Sequence, residues 1–189
     1  ETVPIFENVF SKFDFIICQG ADDLKRFVDL GVNRTKIKED FSFKFDSIET
    51  GHGKSSSIKN TKKDFKVIIC ASTHDPEEEI LVETFYKINT DNTILILVPR
   101  HPERAKKIYN KLIQTNKNIS LFSKDNFSVD FSKKIILVDK IGYLENLFSL
   151  ADIAFIGGSL IPHGGQNFLE AVKFSLPISS GKSIYNFQQ

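Results

Sequence analysis

Two short segments of the sequence carry residues that suit the binding of an anion. One begins with Ser72, Thr73 and His74 and runs into three consecutive glutamates. The other holds Arg100 and His101 between two prolines, which fix the backbone on either side. Arginine presents a planar fork to a phosphate or carboxylate, and a helix start offers free N–H groups to the same ligands. The alternatives are an ordinary helix cap in the first segment and prolines that only shape a turn in the second.

A third segment is rich in glycine and leads into a predicted helix. Its two glycine pairs let the backbone approach a ligand closely, but their spacing matches neither the dinucleotide-binding pattern nor the P-loop. Asn167 and Glu170 follow, and both side chains can point toward one crevice. A capping box, with Asn167 as the cap, is the local alternative. The other candidate binding residues of this segment are Gly158, Ser159, Gly164 and Gly165.

Several other chemistries are not supported by the sequence. The four histidines have spacings that match no compact zinc pattern, so we expect no metal site. The serines lack the nucleophile-elbow pattern of esterases. With 25 basic and 24 acidic residues, the chain has no excess positive charge for nucleic acid. Cys18 and Cys70 each lie in an apolar run, which predicts two small buried side chains and no disulfide framework.

The elements that must position these segments follow an α/β pattern. A strand over residues 13–18, a helix over 21–30 and a half-exposed strand within 36–46 come first. Residues 51–64, rich in Gly, Ser, Asn and Lys, are predicted to be a linker. After it, short β-branched runs alternate with helical patterns. The predicted strands cover 66–71, 93–98, 119–122, 135–138, 153–156 and 177–180, and the predicted helices 77–87, 102–114, 142–149 and 167–174.

Such strands, apolar on both faces, predict a parallel sheet covered by helices. Ligands bind outside the carboxyl ends of the strands in such a sheet, where the three segments fall. A fourth turn there, Asp139 to Leu144, is less specific. The length of 189 residues suffices for one core, or one core and part of a second. The absence of methionine predicts that this is a piece of a longer chain, and no run reaches the roughly 18 to 20 apolar residues of a membrane span.

Taken in order, these segments resemble the 3-deoxy-D-manno-octulosonic acid (Kdo) transferases of lipopolysaccharide synthesis. Further similarities lie near Gln19, Arg26 and Leu30, and in the run from Phe43 to Asp46, so the resemblance covers nearly the whole sequence. The sequence departs from the family at Gln166, Phe168 and Tyr143, where histidine, proline and glutamate are common. The motifs that carry the resemblance are Ser72-Thr73-His74, Pro99-Arg100-His101-Pro102-Glu103-Arg104, Gly157-Gly158-Ser159-Leu160 and Gly164-Gly165-Gln166-Asn167-Phe168-Leu169-Glu170.

The resemblance implies an α/β fold, a Rossmann-like parallel sheet that forms the donor half of a GT-B glycosyltransferase. Residues 1–50 would be the C-terminal part of the acceptor domain, and residues 65–189 a donor domain truncated at its C-terminus. The family's catalytic base and membrane-associated segment would lie outside this piece, which would then be soluble and bind without catalysing. The complete protein would work at the cytoplasmic face of the bacterial inner membrane.

The implied function is transfer of Kdo from CMP-Kdo to a lipid A precursor, without a cofactor or metal and without nucleic acid as a partner. Glu170 would accept hydrogen bonds from the ribose hydroxyls. The alternatives are a nucleotide-sugar enzyme that does not transfer, such as an epimerase, and a non-catalytic ligand-binding α/β module. The implied donor-binding residues are Ser72, Thr73, His74, Arg100, His101, Gly158, Ser159, Gly164, Gly165, Asn167 and Glu170.

Overall fold

The structure is a computed structural model that describes residues 3–40, 64–88, 91–115 and 118–187. The chain divides into two units, Glu1–Glu49 together with Gln189, and Thr50–Gln188. The predicted linker lies outside the described residues except for Asp64, and so does the part of the predicted second strand beyond Asp40.

The first unit contains a two-stranded parallel sheet. Its described elements are helix α1 (Val3–Phe10), strand β1 (Ile16–Cys18), helix α2 (Ala21–Asp29) and strand β2 (Ile37–Glu39). Cys18 packs in a small core with Val32 and Ile37. The predicted βα unit is confirmed, but the first strand is shorter than predicted because it pairs with β2 over three residues only. Phe13 and Phe15, which fall within the predicted strand, lie outside β1 and are 50% and 51% exposed, and helix α1 was not predicted.

The second unit contains a six-stranded sheet in the order β5-β6-β4-β3-β7-β8, and every pair in it is parallel. The predicted α/β class and parallel sheet are thus confirmed. The described elements are β3 (Lys66–Thr73), α3 (Glu77–Ile88), β4 (Thr93–Pro99), α4 (Ala105–Thr115), β5 (Ile119–Leu121), β6 (Ile135–Leu137), α5 (Leu144–Phe148), β7 (Ile153–Ile156), α6 (Leu169–Val172) and β8 (Ile178–Ser180).

Helices cover both faces of this sheet, and the alternation of strand side chains divides the core in two. Ile69 points to one face, where the α5 residue Phe148 packs. Cys70, the next residue, points to the other face and packs with Phe85 of α3 and Leu112 of α4. Apolar burial on both faces is the reason why these strands read as continuous hydrophobic runs.

Three predicted helices of the second unit differ in extent from the structure. The one predicted from residue 102 begins with a 3-10 turn, Pro102–Arg104, and continues as α4. Those predicted over 142–149 and 167–174 are reduced to α5 and α6. Within the described residues, no helix is both long enough and apolar enough to cross a membrane.

Gly157, directly after β7, lies against the backbone of the central strand. A Cβ atom there would lie 2.5 Å from the carbonyl oxygen of Ser72 and 2.6 Å from Cα of Thr73. Only glycine therefore lets β7 and β3 end side by side.

We expect Gly157→Ala to destabilise the chain by about 1–3 kcal/mol, the usual cost of overpacking, because backbone atoms cannot move aside as a side chain does. Thermal and urea unfolding measure the effect. Gly20→Ala is the control, since its Cβ would meet nothing within 4 Å. Equal stability of the two variants would contradict the packing argument.

Candidate functional site

The turns singled out in the sequence meet at one edge of the six-stranded sheet. Strands β4, β3 and β7 are neighbours and run parallel, so the residues that follow them lie side by side at the carboxyl edge. The backbone N–H of Arg100 donates to the carbonyl of Thr73 at 2.9 Å, and that of Gly157 donates to the carbonyl of Ala71 at 2.8 Å. These bonds tie the turn after β4 and the turn after β7 to β3.

Glu77, the first residue of α3, has a fully buried side chain at the centre of this edge. Its Oε1 accepts hydrogen bonds from the N–H groups of Ser159 at 3.0 Å and Leu160 at 2.9 Å. Its Oε2 accepts from the N–H groups of Gly158 at 2.7 Å and His74 at 2.9 Å. One carboxylate thus satisfies four backbone donors from two different turns.

Glu78, which is 2% exposed, organises the neighbouring contacts. Arg104 donates to both of its carboxylate oxygens at 3.2 Å, and the Thr73 hydroxyl donates to Oε1 at 3.0 Å. Bidentate pairing of this kind fixes both side chains. The Arg104 guanidinium is therefore held by the protein itself.

Three imidazole rings meet beside these carboxylates. The ring of His74 lies 4.4 Å from that of His163 and 5.9 Å from that of His101, measured between centroids. The side-chain amide of Gln166 donates to Nε2 of His74 at 3.1 Å, which requires that this nitrogen carries no proton. Burial lowers the pKa of His74 below the ordinary imidazole value, and His163 lowers this pKa further, whereas Glu77 acts in the opposite direction.

Arg100 presents an exposed guanidinium at the same edge. Among the described residues, no carboxylate lies within ion-pair distance of it. His101 is exposed as well, and its Nδ1 lies 3.4 Å from Glu103. These two side chains are available to a ligand, unlike Arg104.

The glycine-rich turn is folded back on itself by backbone hydrogen bonds. The N–H of Gly165 donates to the carbonyl of Gly158 at 2.8 Å, and that of Gln166 donates to the carbonyl of Gly157 at 3.0 Å. Gly164 has φ +84°, and a Cβ on it would lie 2.5 Å from the side chains of Tyr185 and Asn186. Glycine is required there for both conformation and space.

Helix α6 begins later than the sequence predicted, at Leu169. The Asn167 side chain accepts a hydrogen bond from the N–H of Leu169 at 3.1 Å, which forms a local turn rather than the capping box given as the alternative to a binding role. Glu170 lies in the first turn of α6 and is exposed. No described side chain pairs with its carboxylate, which leaves Glu170 accessible to a ligand.

Two of the predicted binding side chains, both hydroxyls, are occupied inside the protein. Thr73 is fully buried and bonded to Glu78. Ser159 is 1% exposed; its hydroxyl donates to the carbonyl of Ile156 at 2.5 Å and accepts from the N–H of Gly181 at 2.8 Å. Neither hydroxyl is free to meet a ligand in this arrangement. Ser72, with φ +55°, is half-buried.

Sequence reasoning missed the positioning carboxylates. It interpreted the glutamates after His74 as a favourable start for a helix, whereas Glu77 and Glu78 are buried and bonded to neighbouring turns. Two adjacent buried glutamates are unusual unless each is paired, but the sequence carries no signal for the distant N–H groups that pair with Glu77. His163 was likewise not among the predicted binding residues, although its ring lies against that of His74.

Neither cysteine is available as a reactive group. Burial raises the pKa of the Cys70 thiol far above its usual range, and the charge of Glu77 adds to this shift. Cys18 and Cys70 are both buried and free, as predicted. No group of three or more metal-ligating side chains is arranged to hold a metal ion in the part of the chain that the structure describes.

Comparisons with known proteins identify the relatives of the chain. It is 34% identical, over 96% of its length, to a bifunctional glycosyltransferase/methyltransferase of Fusobacterium nucleatum. It is 32% identical, over 97% of its length, to the 3-deoxy-D-manno-octulosonic acid transferase of Haemophilus influenzae. The chain spans 29% and 44% of these two curated relatives. No protein-family model matches it.

A solved structure is similar as well. The C-terminal CMP-Kdo binding domain of WaaA from Acinetobacter baumannii matches with a TM-score of 0.62 and 34% identity, over 68% of this chain and 67% of that domain's chain. The second unit thus has the α/β fold, a parallel sheet flanked by helices, of one half of a GT-B glycosyltransferase. The chain belongs to the 3-deoxy-D-manno-octulosonic acid transferase family.

We expect His163→Asn to raise the pKa of His74, because it removes a neighbouring charge that opposes protonation, and His101→Asn to raise it less. NMR titration of the imidazole C–H signals measures both shifts. Because the pKa of His74 is lowered in the folded state, the unfolded chain takes up a proton on this ring first as the pH falls, near about pH 6.5. Protonation therefore favours the unfolded state, and the free energy of unfolding decreases as the pH falls through that value. A His74 pKa unchanged in His163→Asn would contradict this account.

Proposed function

We propose that this chain binds CMP-Kdo and forms the donor-binding part of an inverting glycosyltransferase that transfers Kdo to a lipid A precursor. The observation that carries the proposal is the juxtaposition of an exposed Arg100 with His74, His101 and His163 at the carboxyl edge of the sheet, in a member of the Kdo transferase family. The WaaA domain with the similar fold is itself a CMP-Kdo binding domain.

The charge of the donor suits the groups that are free at this edge. CMP-Kdo carries a phosphate and a carboxylate, and both bind well to a planar guanidinium such as that of Arg100. His101, exposed beside it, supplies a further N–H donor. Since Glu78 already neutralises Arg104, Arg100 is the cation we assign to the donor's anionic groups.

The ribose of the donor is assigned to the start of α6. Glu170 is exposed there without a described partner, and a carboxylate accepts hydrogen bonds from two vicinal hydroxyls. Gly164 and Gly165 are buried against residues 183–187, so we assign them the shape of the turn before α6 rather than a contact with the ribose.

The proposed reaction is a displacement at the anomeric carbon of Kdo. The acceptor hydroxyl attacks this carbon, the bond from the carbon to the phosphate oxygen breaks, and CMP leaves with the electron pair. A general base takes the hydroxyl proton; the resemblance places this base in the acceptor domain, outside the residues assigned here. Arg100 stabilises the departing anion. The donor is already activated, so the scheme needs neither a cofactor nor a metal.

The setting of the reaction follows from its acceptor. A lipid A precursor is a membrane lipid, and CMP-Kdo is a cytoplasmic nucleotide sugar, so we place the complete protein at the cytoplasmic face of the bacterial inner membrane. Its contact with the membrane is assigned to parts other than the donor unit. Nucleic acid is no partner in this proposal, since the charge of the chain is nearly balanced.

Neither alternative has an observation in its favour. An epimerase needs its own acid and base facing the sugar, and the described edge offers histidines that contact one another rather than a separated pair. A non-catalytic module would bind the nucleotide equally well, but the curated relatives are transferases by name.

We expect calorimetric titration to show that the chain binds CMP more tightly than UMP or AMP. Arg100→Ala is expected to weaken CMP binding at least about tenfold, because a charge-assisted bidentate contact is lost. Lys107→Ala is the matched control: it removes an equal charge from an exposed position on α4. Binding of no nucleotide, or equal affinity of the Arg100 variant and the wild type, would contradict the assignment.

Glu170→Gln is expected to weaken CMP binding several-fold, because an amide accepts fewer hydrogen bonds from the ribose than a carboxylate. Titration with 2′-deoxycytidine 5′-monophosphate distinguishes this role from a general loss of nucleotide affinity. The variant and the wild type should bind the deoxynucleotide with similar affinity, since it lacks one of the two hydroxyls. An unchanged affinity of Glu170→Gln for CMP would remove Glu170 from the site.

A further inference from the structure

We infer that Glu77 is a positioning residue for the donor site: its carboxylate takes the place that a ligand anion would occupy in the turn after β7, and thereby holds that turn ready for the donor. The inference rests on the proposed function and deepens it. It assigns Glu77 no contact with the donor, because its side chain is fully buried.

The turn after β7 has the form of an anion-binding nest. Three successive backbone N–H groups, those of Gly158, Ser159 and Leu160, converge on one point, and Gly158 has φ +67°. Such a concavity attracts phosphate or carboxylate oxygens. In this chain the oxygens are those of Glu77, at 2.7 to 3.0 Å. The donor's anions must therefore be met by side chains such as Arg100.

The effect of Glu77 reaches the binding residues through a short series of hydrogen bonds. It fixes Gly158, whose carbonyl accepts from Gly165, while the adjacent carbonyl of Gly157 accepts from Gln166. The Gln166 side chain in turn donates to the ring of His74, and the backbone N–H of His74 donates to Glu77. These hydrogen bonds form a closed network that joins the turn after β3 to the glycine-rich turn ahead of α6.

Glutamate is well suited to this task because of its chemistry and length. An ionised carboxylate only accepts hydrogen bonds, so it can face four N–H groups without conflict. Glutamine would keep one acceptor oxygen and direct an NH2 group at donors. Aspartate would keep the charge, but it is one methylene shorter and cannot reach all of the nest from the start of α3.

The chain contains a control residue at the opposite, amino-terminal end of β3 and β7. Asp152 precedes β7, and its carboxylate accepts a hydrogen bond from the N–H of Val67, at the start of β3, at 2.8 Å. Like Glu77, it is a carboxylate that joins β7 to β3 through a backbone N–H group, although it is 33% exposed and also lies 3.7 Å from Nζ of Lys66. It is remote from the carboxyl edge, where the donor is proposed to bind.

The experiment compares the wild-type chain with Glu77→Gln, Glu77→Asp and Asp152→Asn. Calorimetry measures the Kd for CMP well below each melting temperature, and NMR hydrogen exchange follows the amides of Gly158 and Leu160. We expect Glu77→Gln to raise the Kd at least about tenfold and Glu77→Asp to raise it less, with faster exchange of both amides. Asp152→Asn should leave the Kd within about twofold, even where it lowers the melting temperature.

The outcomes separate the inference from the proposed function. A wild-type chain that fails to bind CMP overturns both. If the wild type binds CMP and the Glu77 variants bind equally well, only the positioning role of Glu77 is overturned. The same holds if Asp152→Asn weakens binding as much as Glu77→Gln, since the effect would then be one of stability. If Glu77→Gln does not fold, Glu77→Asp decides the question: a wild-type Kd overturns the inference.

Discussion

A single buried carboxylate with four backbone N–H partners determines how the ligand edge of this protein is built. A charge removed from water is costly unless hydrogen bonds replace its hydration, and Glu77 is supplied with them by the turns after β3 and β7. The two turns need the carboxylate equally, because without it their N–H groups would be buried without hydrogen-bond acceptors. Each side of the interaction thus satisfies the other, and the two turns cannot separate without exposing both.

This arrangement divides the polar residues of the edge into two groups. Glu77, Glu78, Thr73 and Ser159 are buried and committed to internal hydrogen bonds. The exposed residues, such as Arg100, project from the frame that the first group fixes. A rigid inner layer with free outer groups limits the conformational entropy that a ligand must remove when it binds.

The sequence predicted the fold better than the site. Hydrophobic runs such as that of β4 identify buried parallel strands, because burial on both faces leaves a local pattern. The predicted first strand was wrong in its extent, because it included Phe13 and Phe15. The length over which a strand pairs depends on its partner strand elsewhere in the chain. The meeting of the turns after β3, β4 and β7 at one edge followed from a general property of parallel sheets. The hydrogen bonds of Glu77 could not be predicted, because its partners around Ser159 lie more than eighty residues away.

The alternation of side chains across β3 and β4 also limits how the length of this chain can vary. All residues of β4 are buried, and Ile69 and Cys70 of β3 belong to opposite faces of the sheet. One inserted residue in the middle of either strand would exchange the two faces beyond it. The irregularity that β3 does contain, at Ser72, lies at its carboxyl end, where few residues follow. Insertions and deletions are therefore expected at the strand ends and in the turns. At the carboxyl edge they would reshape the proposed donor site while the sheet beneath it stays the same.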